Sequence, residues 1–148
     1  VNANERNAED LVAALTDPPP YIGDEAFTAF LEENGCSTSV HSFRKCFFGA
    51  AICPWREADV LVLAERLFLQ KPSGMSGREL VDFLQPLLGL YRQVEADSRR
   101  SPFALSPVGK VESRDGLLEF LDRRVDEIYL GFLEGVWQYD RKLPLTPA

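Results

Sequence analysis

The 148-residue chain is short of the side chains that most active sites require, with one histidine, His41, and three cysteines, Cys36, Cys46 and Cys53. A zinc site needs four ligands at close spacing. His41 stands five residues from both Cys36 and Cys46, which does not gather three ligands on one helical turn. A di-iron bundle needs Glu-x-x-His twice and fails for want of a second histidine. Nucleophilic catalysis leaves Cys46 with His41 as its one Cys-base pair, and no nucleophile-elbow pattern is present. Gly74, Gly77 and Gly109 read as ordinary turns rather than a phosphate loop. The sequence therefore assigns no catalytic residue, no metal and no cofactor.

Long hydrophobic runs are also missing. The longest uncharged stretch, residues 46–55, is too short to span a bilayer, and no signal-peptide pattern precedes it. The first residue is Val rather than Met, so a removed leader stays open. Positive charge is scarce too: 16 basic against 23 acidic residues give a net charge of −7, which opposes general attraction to nucleic acid or anionic lipid. Three cysteines do not make the dense framework of a secreted disulfide scaffold. On one helix, Cys46 and Cys53 would stand ~10 Å apart, beyond the ~7 Å Cα limit of a disulfide. Buried free thiols in a reducing, cytoplasmic setting fit best.

No stretch alternates apolar and polar residues between turn signals, so the expectation is an all-α single domain, residues 1–148, with about six helices and no sheet. Residues 1–23 read as a short helix, 5–15, plus the proline run Pro18, Pro19, Pro20. Asp24 caps a second helix carrying Phe27, Phe30 and Leu31, and Gly35 stops it in the left-handed conformation. Ser39 opens a third helix that ends at Cys53, before Pro54. Pro54 starts a fourth to about Leu69, apolar nearly all round and predicted to be central. Ser76 and Glu79 form a capping box for a fifth helix, flanked by Met75 and Leu80, with Pro86 inside it. Residues 101–112 read as a loop lying on the core through Phe103 and Leu105, and 141–148 as a loose tail.

The sixth helix, residues 117–137, is the one the pattern places at the centre. Leu117, Leu118, Leu121, Val125, Ile128, Tyr129, Phe132, Leu133 and Val136 recur at steps of three and four and are predicted to face the core. Glu119, Asp122, Arg123, Asp126, Glu127 and Glu134 form the opposing, solvated stripe. Asp122 and Asp126 could act as acid and base, but one-turn spacing on a charged face reads as simple solvation. Gly131 and Gly135 each cost ~1 kcal/mol in a helix relative to Ala, which is best explained by another helix packed close.

Two segments carry a family likeness. Residues 41–54, HSFRKCFFGAAICP, and residues 129–136, YLGFLEGV, resemble the aromatic and small-residue helix and the later GFLxG segment of the YecA/YgfB-like family of small bacterial proteins. The resemblance covers about residues 24–140. It implies an all-helical bundle, no established catalysis, and a regulator or adaptor role through protein contact.

The candidate partner surface comprises Trp55, Trp137, Tyr139 and Tyr21, aromatic residues near predicted helix ends and in the proline run. Pro18, Pro19, Pro20 and Tyr21 also spell a Pro-Pro-x-Tyr ligand for WW domains, against the simpler reading of a helix stop with Tyr21 tucked onto the bundle. Arg92, Arg99, Arg100, Lys110 and Arg114 could gather a basic edge for RNA or an acidic peptide, or simply a solvated rim. The partner is expected to be a protein, neither membrane nor nucleic acid. The competing reading is a small-molecule binder or enzyme with a cleft lined by Tyr91, Tyr129 and Trp137.

Overall fold

The computed structural model describes residues 12–13, 16–54, 57–68, 75–105 and 107–138. Among them there are helices and no strand, so the fold is all-α. Helix α1 spans Asp24–Glu33, α2 Val40–Ile52, α3 Val60–Phe68, α4 Gly77–Ser98 and α5 Arg114–Val125. A π-helical segment, Asp126–Leu133, and a last turn, α6 (Glu134–Trp137), continue α5 without a break. Five helical rods result among the described residues, at the places of the second to sixth predicted helices. The predicted first helix lies outside the described residues except for Val12 and Ala13, which are helical. No helix among the described residues is long and apolar enough to cross a membrane.

Local chemistry accounts for the boundaries. Gly23, at φ +92°, precedes α1, and Asp24 is its first residue rather than its cap. Gly35, at φ +68°, takes the left-handed stop, and the Cys36 N–H closes onto the Leu31 carbonyl at 2.8 Å, satisfying an end-of-helix acceptor. The Ser39 hydroxyl accepts from the Ser42 N–H at the start of α2, which ends at Cys53 before Pro54. The Ser76 and Glu79 capping box is complete, and α4 continues through Pro86.

The fourth predicted helix is shorter than its apolar pattern. It begins at Val60, where the Asp59 carboxylate accepts from the Val62 N–H at 3.1 Å. Residues 57–59 are instead tied to the chain's other end. Buried Gln138, at φ +53°, accepts from the Asp59 N–H and donates to the Glu57 carbonyl.

Helix α2, not the fourth or sixth predicted helix, is the centre: it packs against α1, α3, α4, the π segment and α6. Phe27, Phe43, Phe47, Leu63, Leu87 and Leu90 are wholly buried around it. Phe27, Phe43, Phe68 and Phe83 form a chain of tilted and edge-on ring contacts, 5.0 to 5.7 Å between neighbouring centroids, that ties α1, α2, α3 and α4 together. The loop after α4 adds Phe103, which sits between Phe48 and Phe132. Leu105, its predicted companion, is exposed.

Candidate functional site

Small residues set how the last helix meets α2. A Cβ at Gly49 would fall on the Phe132 carbonyl, one at Gly135 on the Cys46 carbonyl, and one at Gly131 would stand 2.8 Å from the Lys45 Cβ. The two backbones therefore touch, as the glycine spacing predicts, and no side chain fits between them. Phe132, Leu133 and Val136 are half-buried beside this seam.

Upstream of the seam the helix leaves the body. Helix α5 buries none of its residues, and its main contact is with the π segment that continues it. In the π segment the backbone rings close five residues apart rather than four, so the α-helical phase of the sequence does not carry across it. The outcome overturns the predicted core-facing stripe over its first six residues. Leu117, Leu118, Leu121, Val125, Ile128 and Tyr129 are exposed, from 38 % at Ile128 to 60 % at Tyr129. Glu119, Asp122, Arg123 and Asp126 are exposed, as predicted, and with Ser39, His41, Ser42, Pro107 and Glu127 line an open cavity of about 820 Å³.

The predicted solvated stripe is corrected at its two remaining glutamates. Glu127 is 2 % exposed and accepts from Arg124 at 2.9 Å, while the Arg124 guanidinium also lies over the Phe120 ring. Glu134 is mostly buried and accepts from Arg66 at 3.3 Å. Glu134 thereby ties the last helix to α3, while Glu127 is paired within its own helix.

An exposed apolar face of this extent on a helix that buries none of its residues, continued into the π segment, is the feature that marks the site. Single exposed apolar residues need no explanation; six among residues 117–129, across α5 and the start of the π segment, do. Burying each is worth ~1.5–3 kcal/mol when complete, and the isolated domain forgoes about half of that.

The aromatic candidates are scattered by comparison. Tyr21 is half-buried: its ring packs on Phe27, its hydroxyl donates to Asp24 at 2.8 Å, and the Arg44 guanidinium lies over its face while pairing with the same carboxylate. Pro18 is buried, and the Pro19 carbonyl lies where a Cβ on Gly89 would come within 2.9 Å. The proline run is thus packed across α4. Trp137 ends α6 half-buried, and Trp55 and Tyr139 lie outside the described residues. Tyr91 is half-buried edge-on to Phe47, 5.6 Å between centroids, whereas Tyr129 belongs to the exposed face. In the basic edge, Arg92 pairs with Asp17 and donates to the Thr16 carbonyl, and Arg99 pairs with Glu95.

The candidate nucleophile Cys46 is held in an unreactive state. Burial pushes the Cys46 thiol far up from its ordinary range, so it keeps its proton, and His41 is exposed at the cavity edge. Among the described residues no three His, Cys, Asp or Glu side chains are grouped to hold a metal ion. The outer face was missed in the sequence because its spacing fits a core-facing stripe. The glycine pair was the available signal, since a seam of backbone contact has no room for leucines. No family model matches the chain, and no curated protein or solved structure matches it.

Proposed function

We propose that this protein is a non-enzymatic interaction module, a small regulator or adaptor of the bacterial cytoplasm, that docks a protein partner on the outer face of α5. The observation that carries this reading is the apolar stripe from Leu117 to Tyr129, exposed along α5, which buries none of its own residues, and into the start of the π segment. The likeness to the YecA/YgfB-like family supports it. The two segments that carry the likeness meet at the glycine seam, through Gly49 on one and Gly131 and Gly135 on the other. Tyr21 serves the fold in this account rather than a WW domain.

The test is affinity capture with the wild-type domain and with Leu121→Glu/Val125→Glu as matched baits from the same lysate. A partner retained by the wild type and lost by the variant supports the proposal; capture of the same proteins by both contradicts it. A second reading, a small-molecule site, draws on the cavity beside His41 rather than on Tyr91, Tyr129 and Trp137. A thermal-shift screen in which His41→Ala abolishes a ligand's stabilisation would favour it.

A further inference from the structure

We infer that the occupant of the outer α5 face is a second copy of this chain, paired antiparallel through a two-fold axis at the level of Arg123. The inference rests on the docking reading above and names its partner. Its basis is the order of the exposed residues. Leu117, Leu118, Leu121, Val125, Ile128 and Tyr129 are separated by 1, 3, 4, 3 and 1 positions, a pattern that reads the same in both directions.

Reversing one helix against the other therefore sets Leu117 opposite Tyr129, Leu118 opposite Ile128 and Leu121 opposite Val125, each twice. No leucine is left without an apolar counterpart. An isologous contact requires this self-complementarity, whereas an unrelated partner does not impose it. Parallel pairing would set identical residues together and would align the two helix dipoles unfavourably, while antiparallel pairing opposes them.

Charge is compatible with the pairing despite the net −7 of the chain. Glu119, Asp122 and Asp126 line the cavity on the body side, so their repulsion lies away from the seam. Arg124, at the edge of the stripe, is neutralised within its own chain by Glu127. Area sets the strength. The six side chains present roughly 500–600 Å² per copy, so the pair would bury about 1,000–1,200 Å², the lower edge of specific interfaces. The expected dimer is reversible, with a Kd on the order of micromolar.

Sedimentation over a concentration series, combined with cross-linking, tests the inference. The wild type should pass from monomer to dimer as concentration rises, and Leu121→Glu/Val125→Glu should weaken that dimer at least tenfold while keeping the same helical circular dichroism. Both side chains are exposed in the monomer, so the variant has no reason to misfold. For register, Leu121→Cys and Val125→Cys are made separately on a Cys53→Ser background. An equal mixture should oxidise to a heterodimer, and Leu121→Cys alone should not cross-link, because its two copies lie about one turn apart along the axis. A wild type that stays monomeric at every concentration overturns the inference, as does cross-linking of Leu121→Cys with itself. If the chain is monomeric yet capture from lysate still depends on Leu121 and Val125, the docking face stands and the second copy falls. If neither self-association nor capture occurs, both fall.

Discussion

Gly135 lies against the backbone of Cys46, with a Cβ at that position only 2.7 Å from the Cys46 carbonyl carbon. This contact holds the C-terminal half of the last helix on α2 and leaves its N-terminal half extended. Gly135→Ala should gain ~1 kcal/mol of helix propensity and lose more, because the two backbones must separate and reopen packing beside Cys46; a net loss of about 1–3 kcal/mol is expected. Chemical denaturation of the wild type and variant measures it. Unchanged or increased stability would contradict the seam. Gly116→Ala, on the unpacked stretch of α5 with only the Ser113 hydroxyl near its Cβ, serves as the control and should not destabilise.

Tyr21 supplies the alkaline prediction. Burial, then its hydrogen bond to Asp24, push the phenol up to about 12 from 10, against the opposing pull of Arg44. The folded state therefore holds the phenolic proton more tightly than the unfolded state does. The resulting stability is complete below about pH 10 and is lost as pH rises toward 12. Denaturant melts across that window should show the decline in the wild type, and Tyr21→Phe should flatten it. An equal decline in both would assign it elsewhere. Asp24 works in the opposite range: its carboxyl is held down by Arg44 and Tyr21, so its contribution is present above the ordinary carboxylate range and is lost as pH falls through its lowered value.

Thiol accessibility separates the three cysteines. Cys36 and Cys46 are buried, Cys53 is half-buried, and all three are free. The Cys36 thiol donates to the Leu67 carbonyl, and Cys46 keeps its proton because its surroundings cannot solvate a thiolate. A thiol reagent added to the native protein should therefore modify Cys53 first, and all three should react only on unfolding. Rapid reaction of Cys46 in the native state, read by peptide mass mapping, would overturn its placement.

Much of this architecture was legible because it is local. Ser76 with Glu79, Gly35 as a left-handed stop and Pro54 after the end of a helix each depend on residues within a few positions, and Gly131 and Gly135 announced a close packing without naming the distant Lys45 and Cys46 that they meet. What escaped depends on distant parts of the chain. The start of α3 is delayed by Gln138, some 80 positions away, and Asp24 is drawn from capping by Tyr21 and Arg44. The outer face of α5 escaped for a different reason: no residue pattern announces a π segment, and a change of phase there turns the same periodic residues from core to surface. Periodicity grouped nine residues on one face; the structure turns Leu117 to Tyr129 outward and sets Phe132, Leu133 and Val136 beside the seam with α2.

The most direct measurement is the stability of Leu121→Ser/Val125→Ser against the wild type, taken by thermal unfolding at a concentration low enough to keep both monomeric. Both side chains are exposed and neither belongs to the core cluster, so the melting temperatures should agree. Truncating two buried residues to serine would instead cost several kcal/mol in total, since one large-to-small core substitution alone costs about 2–5 kcal/mol. A loss of that size would return the face to the interior of the domain and remove the docking surface with it.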